Sequence, residues 1–102
     1  MENYHNESTK RLFSVIAGLK TEEECRSFFE DVCTIKEIQD MAQRLETAML
    51  LYKGENYQNI SAKVGVSSAT ISRVNRCLNY GSGGYKAVVK KLSEQVKNGD
   101  KR

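Results

Sequence analysis

Proline and tryptophan are missing from the 102 residues, and there is a single histidine, His5. Without proline no segment carries a fixed φ or a missing backbone donor, so nothing interrupts a helix from within. Alternation of β-branched and polar residues is also scarce, which removes the main signal for strands and leaves an all-helical reading. A lone histidine in a polar stretch has no second ligand pair for a metal, so no metal site is expected. It also puts no base beside a nucleophile, and the carboxylates fall on solvated helix faces rather than in a cluster, so the chain is not read as an enzyme. Cysteine is limited to Cys25, Cys33 and Cys77. That odd count without a CxxC spacing argues for reduced thiols rather than a disulfide framework.

Long apolar runs are missing too. No stretch approaches the length of a membrane span, and the opening MENYHNESTK lacks the apolar core of a signal peptide, so a soluble cytoplasmic protein without a membrane partner is expected. Hydrophobic residues make up 39% of the chain, which is lean for a globule of this size. A single core here covers only about two-thirds of the unfolded surface, which leaves room for dimerisation to cover more.

Acid is unevenly spread. Residues 21 to 55 hold four bases against nine acids, whereas residues 56 to 80 contain Lys63, Arg73 and Arg76 and no acid at all. A basic back half following an acidic front half suits a chain that meets phosphate with one part only.

The acid-free stretch, YQNISAKVGVSSATISRVNRCL at 57 to 78, has the spacing of two short helices around a tight turn. Ile60 and Val64 lie one helical turn apart, Val66 follows the glycine, and Ile71 and Val74 are again one turn apart, so five apolar contacts surround one corner. Ser61 is small enough to let the second helix pass closely, and Gly65 suits a turn that needs positive φ. Ser67 is the expected N-cap of a helix running from Ser68 to about Leu78. The face left over is Ser68, Ala69, Ser72, Arg73 and Arg76. Short side chains in its first turn can meet base edges or a thymine methyl in a major groove, and the arginines one turn later can reach phosphates or guanine. Gln58, Lys63 and Ser67 complete the expected DNA-binding set.

Before this corner, Ser8 is a candidate cap for a first helix with Leu12, Phe13, Ile16 and Leu19 as its apolar positions, and Gly18 weakens its end. Residues 1 to 7 are expected to fray. Thr21 with Glu24, and Thr34 with Glu37, have the spacing of capping boxes. The first opens a helix burying Phe28, Phe29 and Val32. The second opens the longest helix, IKEIQDMAQRLETAMLLYK, whose Ile35, Ile38, Met41, Ala42, Leu45, Ala48, Met49 and Tyr52 form a stripe closed by Gly54. At roughly 28 Å that stripe is too long for two short helices to cover, which again points to a second subunit. After the corner, GSGG at 81 to 84 reads as a flexible joint, since it has neither a preceding strand nor the spacing of a phosphate-binding loop. Tyr85, Val88, Val89, Leu92 and Val96 then mark a last amphipathic helix, and NGDKR at the end is expected to be disordered.

The order of these parts resembles the tryptophan repressor superfamily. ATISR at 69 to 73 is a close match to the repressor pattern Ala-Thr-Ile-Thr-Arg, with Gly65 at the turn and Leu78 at the end of the helix. The likeness covers about residues 12 to 95 and is greatest to the small repressor-related group called YerC/YecD. It implies a single all-α domain over 1–102 of about six helices in an intertwined homodimer. The shared core is expected over about 8–54 and 84–97 and the helix-turn-helix over about 56–79. It also implies a DNA-binding transcriptional regulator, a repressor by occlusion of a promoter, with two reading heads about 34 Å apart on double-stranded DNA.

Carried over by position, Thr34 stands where the family's threonine contacts the amino acid, Arg44 where one arginine flanks the indole, and Arg73 where a second arginine packs on the other face. Val74 replaces the family's glycine, and Cys77 replaces the serine that meets the ligand's amino group. Valine adds three carbons to a pocket built around a flat ring, at a cost of about 1 to 3 kcal/mol for overpacking. No cofactor is therefore expected, and DNA binding is read as independent of tryptophan. Each matched residue also has a plain reading: Thr34 as an N-cap, Arg44 as a partner of Glu37 or Asp40, and Arg73 as a phosphate contact. Three other readings remain open on sequence alone. The corner could serve as a protein-interaction module, another ligand could replace tryptophan, or oxidation of Cys77 beside Arg73 and Arg76 could regulate binding.

Overall fold

A computed structural model of the chain describes residues 6–97, with side chains through Gln95. His5, the side chain of Val96 and the terminal NGDKR lie outside the described residues. Six helices follow one another: α1 (Glu7–Ala17), α2 (Glu22–Val32), α3 (Ile35–Tyr52), α4 (Tyr57–Val64), α5 (Ser68–Tyr80) and α6 (Gly84–Lys97). No strand occurs among the described residues. The chain divides into two compact units, Met1–Ile38 and Gln39–Arg102, with the boundary inside α3.

In the first unit each helix begins on a side-chain cap. The cap of α1 is Asn6 rather than Ser8: Thr9 N–H donates to Asn6 Oδ1 at 3.0 Å and Asn6 N–H donates to Thr9 Oγ1 at 3.1 Å. Asparagine caps as well as serine, and starting there brings Glu7 into the first turn, where its charge suits the helix dipole. Thr21 caps α2 by accepting from Glu24 N–H at 3.0 Å, but the Glu24 carboxylate accepts from Lys20 N–H at 2.8 Å, one residue upstream of the expected partner. Thr34 and Glu37 form the full reciprocal box, with Glu37 N–H donating to Thr34 Oγ1 at 3.0 Å and Thr34 N–H to Glu37 Oε1 at 2.8 Å.

Neither α1 nor α2 contains a buried residue. Phe28 and Phe29 are half-buried and meet edge to face, 5.6 Å between centroids. Leu12, Phe13 and Val15 stay exposed, and Val32, expected on the buried side, is 57% exposed. The apolar periodicity is present, but no residue it marks on α1 or α2 is fully buried.

The second unit holds the core. Ala48 of α3, Val74 and Leu78 of α5 and Val89 of α6 form a buried cluster, with Leu45, Met49, Leu51 and Tyr85 packed against it. Thr47, next to Ala48 along α3, is also wholly buried, a position passed over by an apolar reading. Its hydroxyl donates to the Gln43 carbonyl at 2.8 Å, so the polar group is satisfied within its own helix. The expected stripe on α3 is buried at Ala48 and half-buried at Ile38, Leu45 and Met49, but its ends Ile35 and Tyr52 and its middle positions Met41 and Ala42 are exposed.

Helix α3 closes on Gly54, at φ 94°. Gly54 N–H donates to the Leu51 carbonyl and Glu55 N–H to the Leu50 carbonyl, both at 3.0 Å. This paired closure uses two carbonyls that the helix end leaves free, and it fixes the backbone of Glu55. At the other joint, Gly81 N–H closes α5 on the Cys77 carbonyl at 2.9 Å. A Cβ at Gly81 would run into that carbonyl, and Gly83 stands at φ 97°. The glycine run is thus a shaped turn leading into α6.

Candidate nucleic-acid interface

The corner of α4 and α5 is built by local hydrogen bonds. Asn56 caps α4 by accepting from Asn59 N–H at 2.8 Å. Gly65 ends the helix at φ 86°, a left-handed conformation, with its N–H donating to the Ser61 carbonyl at 2.9 Å. Ser61 has a different role from the one expected. It is exposed, and its hydroxyl donates across the turn to the Val66 carbonyl at 2.9 Å. Ser67 then caps α5, accepting from Thr70 N–H at 3.2 Å. Its hydroxyl is also within 3.2 Å of Thr70 Oγ1.

Behind this turn Ile60 and Ile71 are wholly buried and Val74 is 1% exposed, while Val64 and Val66 are half-buried. Three of the five expected contacts are therefore full core residues and two form the edge. The burial of one side of α5 leaves Ser68, Ala69, Ser72, Arg73 and Arg76 exposed together on the other. Gln58 and Lys63 are exposed on α4. Helix α5 runs two residues past the expected Leu78, to Tyr80. In its last turns the Asn79 amide donates to the Asn75 carbonyl at 2.9 Å and lies 3.0 Å from Asn75 Oδ1.

The cations of this surface are not equivalent. Lys63 Nζ stands 3.3 Å from Glu55 Oε2, and the other oxygen of Glu55 accepts from Asn59 Nδ2 at 3.1 Å. The Asn59 hydrogen bond, followed by the Lys63 ammonium, holds the Glu55 carboxyl below its ordinary pKa. Arg73 and Arg76 enter no ion pair among the described residues. Glu55 is the residue that sequence reasoning missed. It lies just outside the acid-free stretch and eight residues from Lys63, and only the turn between α3 and α4 brings them together.

Of the positions matching the family's ligand site, Thr34 and Val74 have structural roles of their own. Thr34 spends its hydroxyl on the cap of α3, Arg44 is half-buried, and Cys77 is exposed as a free thiol. Val74 is a member of the core cluster with Ala48, Leu78 and Val89. An open cleft of about 350 Å³ lies between α3 and α4, lined by Ala42, Gln43, Glu46, Leu50, Lys63 and Val64, and contains none of Thr34, Arg44, Arg73, Val74 and Cys77. Among the described residues, no group of three His, Cys, Asp or Glu could hold a metal, and no helix is long and apolar enough to cross a membrane.

The same arrangement recurs in known proteins. The uncharacterized protein YerC of Bacillus subtilis (strain 168) is 51% identical over 84 residues, 82% of this chain and 81% of that protein. The crystal structure of a TrpR like protein from Eubacterium eligens ATCC 27750 is 47% identical, covers 87% of this chain and 92% of its own, and superposes with a TM-score of 0.84. A second solved structure, from Staphylococcus aureus, is 39% identical with a TM-score of 0.82, over 86% of this chain and 88% of that one. The pattern of the Trp repressor protein family matches residues 7–93. With that match spanning all of α1 to α5 and most of α6, the chain belongs to the Trp repressor protein family, in its YerC-related group.

Proposed function

We propose that the chain is a sequence-specific DNA-binding transcriptional regulator, a repressor that acts as a homodimer in the cytoplasm without tryptophan. The observation that carries this reading is the exposed face of α5, where Ser68, Ala69, Ser72, Arg73 and Arg76 stand together over a buried corner. Short side chains at the start of such a helix let it enter a major groove, and the arginines behind them meet phosphate or guanine. Ser67 and Gln58 flank this face at the helix starts, and Lys63 supplies a further cation. Membership of a repressor family supports the same conclusion.

The homodimer is supported by α1 and α2. Both carry apolar positions, yet neither has a buried residue, and Phe13, Val15 and Val32 remain between 43% and 57% exposed. Large apolar residues left open in this number call for a partner surface. Independence from tryptophan is supported by Val74, which already fills the space beside Ala48, Leu78 and Val89.

The test is selection from randomised duplexes at two salt concentrations, with and without tryptophan. Enrichment of a two-fold symmetric sequence without tryptophan supports the reading. Failure to enrich any duplex, with affinity indifferent to salt, overturns it in favour of a protein-interaction module.

A further inference from the structure

Within the head described above, one cation is already engaged. Lys63 is the basic residue in the last turn of α4, and its ammonium lies 3.3 Å from Glu55. The two partners are held very differently. The backbone of Glu55 is fixed by its N–H bond to the Leu50 carbonyl, and its second carboxylate oxygen is occupied by the Asn59 amide. Lys63 has a flexible stem, its side chain is 57% exposed, and it meets Glu55 through one oxygen only. When a stronger anion arrives, the lysine is the partner free to leave and the carboxylate stays where it is.

We propose that Glu55 is a built-in competitor of the DNA backbone for Lys63, so that a phosphate engages this lysine only by displacing the carboxylate. The inference rests on the DNA-binding reading above and adds to it a residue that sets the strength of binding. Phosphate contacts carry no sequence information, so the competition lowers affinity for all duplexes alike. It thereby holds down non-specific binding while the contacts of α5 to bases are untouched. A carboxylate left beside the phosphates also retains a counterion, which reduces the number released on binding.

The experiment compares the wild type, Glu55→Gln, Lys63→Gln and the double variant on a random-sequence duplex over a salt series. Glutamine keeps an oxygen for the Asn59 amide and removes the charge. The expected result is that E55Q binds roughly two- to fivefold more tightly at low salt, the size of one exposed ion pair. Its plot of log affinity against log salt should be steeper by about 0.9, one phosphate contact. The double variant should bind like Lys63→Gln, because the gain requires the lysine. If E55Q binds equally or more weakly with an unchanged slope, Glu55 is only a clasp between α3 and α4 and the proposal is overturned. If the wild type itself shows no salt-dependent binding, the DNA-binding reading fails and takes this one with it; binding by the wild type without a response to E55Q sinks this inference alone. Circular dichroism of each variant checks that helix content is retained.

Discussion

Ser61 donates its hydroxyl to the carbonyl of Val66 at 2.9 Å, tying the end of α4 to the first residue after the turn. Gly65 between them is at φ 86° and has open space where a Cβ would stand, so the turn is shaped by backbone conformation and this one side-chain bond rather than by crowding. Replacing Ser61 by Ala removes the bond and leaves a carbonyl to water. A net hydrogen bond contributes about 0.5 to 1.5 kcal/mol. Alanine returns up to about half a kcal/mol through its higher helix propensity. The expected outcome is a loss of up to about 1 kcal/mol, read as a drop of up to several degrees in the thermal midpoint. An unchanged midpoint would show that the turn holds without the latch.

Much of this was legible in the chain because the relevant physics is local. The Thr34 and Glu37 box, the Ser67 cap and the left-handed Gly65 each depend on residues three or four apart, and each was read correctly. Ile60, Ile71 and Val74 were legible because helical periodicity marks the side that turns inward. What was not legible depends on choices among near-equals or on distance. Asn6 and Ser8 are both competent caps, and Glu24 has two neighbouring N–H groups within reach. Thr47 is invisible to apolar counting because its buried hydroxyl is satisfied by Gln43. The Glu55 pairing with Lys63 crosses a helix start eight residues away, beyond any rule of helical neighbours. The ends of the α3 stripe and the faces of α1 and α2 were expected to be buried, but periodicity states which residues share a face and not whether anything covers it.

The proposed independence from tryptophan rests on Val74, a member of the buried cluster. Val74→Ala removes two buried carbons from the cluster with Ala48, Leu78 and Val89, for an expected loss of about 2 kcal/mol in urea unfolding. Titration of tryptophan into the wild type should give no binding heat, and tryptophan should leave its DNA affinity unchanged. A tryptophan signal with the wild type would mean that the pocket opens despite valine.

Arg76 is exposed and outside any ion pair among the described residues, so its removal leaves the core of α5 intact. Arg76→Ala should therefore weaken binding to matched and random duplexes by similar factors and lower the salt slope by about one unit if the guanidinium meets a phosphate. A loss confined to one sequence would instead place Arg76 on a guanine edge. The thermal midpoint should stay within about four degrees of the wild type, since surface substitutions of this kind change stability by about 0.5 kcal/mol or less.

The carboxyl of Glu55 is held below its ordinary pKa first by the Asn59 amide and then by Lys63, with Lys53 adding a smaller effect of the same sign. A depressed value in the folded state means that the charged form is favoured by folding. Its contribution to stability is therefore fully present above the ordinary glutamate value and is lost as pH falls through the lowered folded value. Glu55→Gln removes the titration while keeping an acceptor for Asn59. Thermal unfolding of the two proteins from neutral pH into the acid range should show the wild type ahead at neutral pH, with the gap closing as pH drops below the ordinary glutamate value. Once Glu55 is protonated the wild type and the glutamine variant present nearly the same group to Lys63 and Asn59, so their midpoints should converge. A gap that persists at the acid end would show that the glutamine disturbs the joint between α3 and α4 by shape, and a gap absent at neutral pH would show that the pair contributes nothing to stability.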